Sequence, residues 1–195
     1  MNGIPRFMLS TITFVWIGSL PSLRASDEPV RAETLPAAPT LSEDTPDGPA
    51  LLDKKEWGFV VSKMENWTVD SSKTTDQLWA TFDYSDPEVS VYIEASPLPD
   101  EDLVIDETFM QFVYQFASAE QPMSLDLLDV RTFKDHPAGY FEARSTSEGV
   151  EVHLNQWVIK AHSRLYTLTI GYAESEKAAA QPYVDLFEEN LHLVP

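Results

Sequence analysis

The sequence predicts an α+β domain in which an antiparallel sheet of about six to seven strands packs with helices. Three observations predict it. Between Trp57 and Tyr172 short segments alternate apolar with polar residues, the two-residue period of half-buried strands. Two other segments repeat apolar residues at spacings of three and four, the period of an amphipathic helix. The links within the later strand run are too short for a parallel crossover, which needs roughly a dozen residues or more. Helices attached to such a sheet bury their apolar stripe by lying on it.

Taken in order, Trp57-Gly58-Phe59-Val60-Val61 reads as a first short strand, and Asn66-Trp67 as a turn. Leu78, Ala80, Phe82 and Tyr84 alternate with more polar neighbours in a second strand. The turn chemistry of Asp83 to Glu88 reverses the chain into Val89, Val91 and Ile93, and Pro97 and Pro99 end that run. Asp106 is placed to cap a helix reaching about Ala119, with Phe109, Phe112, Val113 and Phe116 as one apolar stripe and Pro122 as its stop. Strands are then expected over Leu125 to Phe133, Ala138 to Thr146, Val150 to Lys160 and Arg164 to Tyr172, a meander joined by turns such as Thr146-Ser147-Glu148-Gly149 and Ala161-His162-Ser163. Ser175 to Leu193 reads as a closing helix with Ser175 as a possible cap and Tyr183, Leu186, Phe187 and Leu191 on one face. Pro182 disturbs its first half.

Ahead of this domain, expected at 53–195, lie two other segments. Residues 1–25 carry Arg6, an apolar stretch from Phe7 to Leu20, then Pro21 and a run to Ala25, the order of a secretory signal peptide. The stretch is shorter than the ~20 residues of a spanning helix, so export is the expectation and stable membrane insertion is not. Residues 26–52 are rich in proline and acid and lack aromatics, the composition of a disordered or semi-rigid linker.

Composition narrows the function. The chain has 195 residues and a formal net charge of −19, which repels phosphate backbones and argues against nucleic-acid binding. With no cysteine, disulfides, Cys-ligated metals and thiol nucleophiles are excluded. The domain's glycines at 58, 139, 149 and 171 are too scattered for a phosphate-cradling loop. His136, His153, His162 and His192 follow no zinc spacing, and no Gly-x-Ser-x-Gly motif is present.

Two constellations remain. Pairing 138–146 with 150–160 across the turn at 147–149 puts Glu142 and Arg144 on one face with Glu151, His153 and Asn155, while Phe141, Ala143, Val152 and Leu154 point the other way. That patch reads either as a binding face, with Arg144 gripping a carboxylate and His153 titratable, or as a solvated sheet end whose cross-strand pairs are worth a few tenths to about 1 kcal/mol. Asp100, Glu101, Asp102, Asp106 and Glu107 cluster hard oxygen ligands of the kind calcium takes. Their spacing is not that of an EF-hand, and acids before a helix are also favoured by its dipole. Asp83, Asp86 and Glu88 form a second acidic turn, and the tryptophans at 57, 67, 79 and 157 read as core or half-buried anchors.

The segments Trp57 to Trp67, His136-Pro137-Ala138-Gly139-Tyr140-Phe141-Glu142-Ala143-Arg144, Gln156-Trp157-Val158-Ile159, Arg164-Leu165-Tyr166-Thr167-Leu168-Thr169 and Tyr183 to Phe187 together resemble the PsbP/Mog1-like superfamily, including its bacterial DcrB-like branch. The resemblance implies an α/β/α sandwich and a non-catalytic accessory or binding domain. Members are lumenal photosystem subunits, bacterial envelope proteins and, in the fungal branch, a nuclear GTPase partner, which an export signal disfavours. No catalytic motif comes with it. The expectation is an extracytoplasmic (periplasmic, lumenal or secreted), monomeric protein that binds an envelope or lumen protein and needs no cofactor. The alternatives are a small-ligand or calcium-binding protein and, behind that, a hydrolase.

Overall fold

The computed structural model describes residues 49–74, 77–147 and 149–195. The expected signal peptide and all but the end of the expected linker lie outside these residues. The first strand, β1, Ala50–Lys54, begins ahead of the expected domain start at Asp53.

A 3-10 turn at Lys55–Trp57 follows, so Trp57 does not open a strand; β2 is Phe59–Ser62. Gly58 between them sits at φ 82, a left-handed conformation that glycine adopts without steric cost. A Cβ there would also collide with the Tyr166 hydroxyl. The elements then run β3 Thr68–Thr74, β4 Gln77–Ser85, β5 Glu88–Pro97, α1 Glu107–Glu120, β6 Met123–Phe133, β7 His136–Ser147, β8 Val150–Ala161, β9 Arg164–Ala173, a 3-10 turn, α2 Lys177–Asn190 and β10 Leu191–Leu193. Seven strands form one antiparallel sheet in the order β3-β4-β5-β9-β8-β7-β6, and β1-β2-β10 form a small second sheet.

The meander has the expected sense because its links are tight. Phe133 pairs with His136 across Lys134-Asp135, and Ala161 with Arg164 across His162-Ser163. All four turn residues have positive φ, the two-residue hairpin geometry whose twist matches that of the strands it joins.

One face of the large sheet carries the main core. Phe82, Val91, Ile93, Leu168, Ile170, Tyr166 and Ile159 meet Phe59 and Val61 of β2 and Ala180, Val184, Phe187 and Leu191 at the chain's end. The small sheet closes through Gly58, whose carbonyl accepts from the Tyr166 hydroxyl at 3.1 Å and from the Val194 N–H at 2.9 Å. Lys134 caps the end of α2, its Nζ donating to the carbonyls of Glu189 and Leu191 at 2.6 and 2.8 Å, which satisfies acceptors a helix terminus otherwise leaves open.

The opposite face receives α1. Asp106 caps it by accepting from the Phe109 N–H at 2.8 Å, and Met110, Val113 and Ala117 are its buried residues. The expected stripe was displaced: Phe112 is 54% exposed. The helix settles where β7 has no side chain, at Gly139, whose missing Cβ leaves the space filled by Met110. The closing helix differs from expectation too. Ser175 is in the 3-10 turn, the helix starts at Lys177 with Pro182 inside it, and Leu191 to Leu193 leave it to pair with β2. Among the described residues no helix is long and apolar enough to cross a membrane.

Candidate functional site

The β7–β8 hairpin holds the expected polar patch in register. Glu142 pairs with Asn155, Arg144 with His153 and Thr146 with Glu151, so alternation brings the five candidate residues onto one face. It is the face of the main core, and the patch lies beside the start of α2 instead of at an open sheet end.

His153 is the centre of it. The ring is 1% exposed and stacks on Tyr172 at 5.2 Å. Its Nδ1 is 2.9 Å from Glu174 Oε2, and its Nε2 is 3.4 Å from both Glu142 Oε2 and Lys177 Nζ. Lys177 Nζ also lies 3.8 Å from that Glu142 oxygen, while Glu142 Oε1 accepts from the Tyr140 hydroxyl at 3.0 Å. The cluster ties β7, β8, β9 and α2 together. Asn155 is buried next to it, and burial pushes the neighbouring Tyr172 hydroxyl up to about 12.

Arg144 faces outward and is already engaged. Its Nε and Nη2 donate to the two oxygens of Asp126 at 2.8 and 2.7 Å, a fork-to-fork pair, and Nη1 lies 3.6 Å from Glu151. Asp126 reaches it because β6 changes register between Leu125 and Leu127, and a bulge re-aims side chains. The hydrogen bonds from Arg144 hold the Asp126 carboxyl below its ordinary pKa. The carboxylate that a binding face would take from a ligand is thus supplied by the chain itself. Asp126, Glu174 and Lys177 carry no sequence signal for this role, because each reaches the hairpin from another element.

The five acids near α1 are not gathered in the same way. Asp106 is the helix cap and Glu107 accepts from Gln111 at 3.3 Å. Asp100 accepts from the Asp102 N–H at 2.9 Å, and the carbonyls of Glu101 and Leu103 are taken by Lys160 Nζ at 2.6 and 2.9 Å. Among the described residues no group of three or more histidine or acid side chains is placed to hold a metal ion. The second acidic turn is used locally, Asp83 accepting from the Ser90 hydroxyl at 2.6 Å.

The tryptophans are anchors. Trp67 packs on Tyr84 and Phe187, and Trp57 lies under Lys54 Nζ at 4.4 Å. Trp157 meets Phe133 and Tyr140, with the Arg131 guanidinium 4.7 Å from its ring and 3.8 Å from that of Tyr140. Trp79 is half-buried on the other face, stacked on Tyr92.

No family model matches the sequence, and no curated protein matches it. Solved structures do. Cyanobacterial PsbP (CyanoP) from Synechocystis sp. PCC 6803 superposes with a TM-score of 0.53 at 18% identity, over 78% of this chain and 98% of that one. The Ran-binding protein Mog1p of Saccharomyces cerevisiae gives 0.45 at 8% identity over 70% and 90%, and LpqN of Mycobacterium tuberculosis, involved in cell envelope biogenesis, gives 0.43 at 11% over 66% and 84%. The first of these shows the fold: the chain is built like PsbP, as the sequence resemblance implied.

Proposed function

We propose that this PsbP-like chain is an exported, non-catalytic accessory protein that binds another protein of the envelope or lumen by pairing with the edge of its large sheet. The observation that carries this reading is β6. It is an edge strand, 11 residues long, and it exposes Leu125, Leu127 (44%) and Val130. Strand edges offer unpaired backbone N–H and C=O groups that an extended segment of a partner can complete. The other edge, β3, is the polar run TVDSSKT, with less apolar surface to offer. A partner segment with apolar residues on both faces and basic flanks suits Leu125 and Val130 on one face of β6, Leu127 on the other, and the net charge of −19. The non-catalytic reading is supported by the burial of His153, whose ring is 1% exposed, and by Arg144 being forked on the chain's own Asp126.

A photo-crosslinking residue placed at Leu127 or Val130, with Ser118 and Gln181 as controls, tests this in the envelope or lumen fraction of the host. A single product from the β6 positions and none from the controls is expected. No product, or equal products from all four, overturns the edge-pairing reading.

A further inference from the structure

On the side of the large sheet where α1 packs against β6 and β7, the strands β8, β9, β5 and β4 carry a second polar set that partner binding at the edge does not use. Gln156 on β8 pairs with Thr169 on β9, which pairs with Tyr92 on β5; Glu94 pairs with Thr167 on one side and Trp79 on the other. Directly opposed residues share a face, so all six project to the side opposite the main core.

Two of them are buried with incomplete chemistry. Gln156 is 2% exposed, and its Nε2 has no hydrogen-bond partner. A buried donor without an acceptor is uncommon in native structures. Glu94 is 5% exposed and its Oε2 accepts from the Tyr92 hydroxyl at 3.1 Å. Among the residues whose side chains the structure describes, no lysine, arginine or histidine forms an ion pair with it. Burial raises its pKa against the opposing pull of the Tyr92 bond, as for a carboxylate lacking a counter-charge. Beside it Trp79 stacks on Tyr92 with ring centres 6.2 Å apart.

Each feature selects a ligand group. A carboxylate next to aromatic faces takes an organic ammonium ion. An amide N–H without an acceptor takes a carbonyl or similar oxygen. The strands of Gln156 and Tyr92 are two spacings apart, about 10 Å, a span that one small molecule bridges. We propose that this face binds a small alkylammonium ion bearing a hydrogen-bond acceptor, with the ammonium at Glu94 against Tyr92 and Trp79 and the acceptor on Gln156 Nε2. The negative field of the chain favours a cation, and the absence of a gathered acid set among the described residues favours an organic one over calcium.

The test is an NMR titration of the isotope-labelled protein with acetylcholine, which has ammonium and acceptor, and with tetramethylammonium, which has the ammonium alone. Saturable shifts of the Trp79 indole N–H and the Gln156 side-chain amide are expected with acetylcholine. Glu94→Gln should weaken both probes at least tenfold, and Gln156→Leu should weaken acetylcholine severalfold while leaving tetramethylammonium unchanged. Should Glu94→Gln lose its dispersed spectrum, Trp79→Leu, read at the Gln156 amide, carries the same tenfold expectation. The site is overturned if neither probe produces a saturable shift, or if the folded variants bind as the parent does. Equal effects of Gln156→Leu on both probes overturn its acceptor half. A negative crosslinking result at β6 leaves this outcome unaffected.

Discussion

The Trp157 indole N–H donates to Glu188 Oε1 at 2.8 Å, joining the centre of the sheet to the last turns of α2. Desolvation raises the Glu188 pKa, with the indole bond pulling the other way. A carboxyl with a raised folded-state pKa contributes stability that is fully present below its ordinary value and is lost as pH rises through the folded value. Glu188→Gln keeps an acceptor for the indole and removes the ionisation. It should match or exceed the parent Tm at neutral pH, with the difference closing below about pH 4; thermal unfolding across pH checks this.

The Arg144–Asp126 pair has the opposite sign. Asp126 titrates below its ordinary value because of the Arg144 hydrogen bonds, so its contribution is present above the unfolded carboxylate value and is lost as pH falls through the folded one. Both side chains are partly exposed, and solvent screens such pairs. Asp126→Asn should lower the Tm slightly at neutral pH and low salt. The difference should shrink with added salt and vanish in acid.

His153 is a core residue with polar neighbours. Replacing it by alanine empties the space of a ring that is 1% exposed and strips a partner from each of the partly exposed Glu142, Glu174 and Lys177. A loss of about 2–3 kcal/mol in a urea unfolding curve is expected. A binding defect in that variant therefore reports folding unless stability is measured alongside. An unchanged urea midpoint would refute the clasp role of the ring.

Gly139 makes room for Met110 beneath α1. Gly139→Ala should destabilise by about 1–3 kcal/mol through overpacking, since the added Cβ lands on the Met110 side chain. Combining it with Met110→Ala should cost less than the sum of the two single changes, because the second substitution clears the collision. A double-mutant cycle in denaturant measures the coupling.

Several elements were legible because their signal is local. The strand alternation of Val89, Val91 and Ile93, the Asp106 cap and the hairpin pairing of Glu142, Arg144, His153 and Asn155 all follow from spacing along the chain. β3 leaves no such signal, because an edge strand need not alternate apolar residues, and Thr68 to Thr74 do not. From sequence Leu191 belongs to the helix end, because it fits both a helical face and a strand. Its pairing with Val61, far away in sequence, settles the choice. Phe112 points outward because the buried stripe of α1 follows Met110 into the space above Gly139, which no helical period announces.

By itself the sequence determined the α+β class, the antiparallel sense of the meander and that the polar residues of β7 and β8 share one face. Those properties depend on residues two to four apart or on the length of a turn. The tertiary structure alone decided that Arg144 meets Asp126, that His153 is closed in by Glu174 and Lys177, and that Glu94, Tyr92, Trp79 and Gln156 share a face. Each of these contacts depends on strand order, a bulge or the seat of a helix, and such long-range choices are made by the packing of the whole chain, where no local period records them.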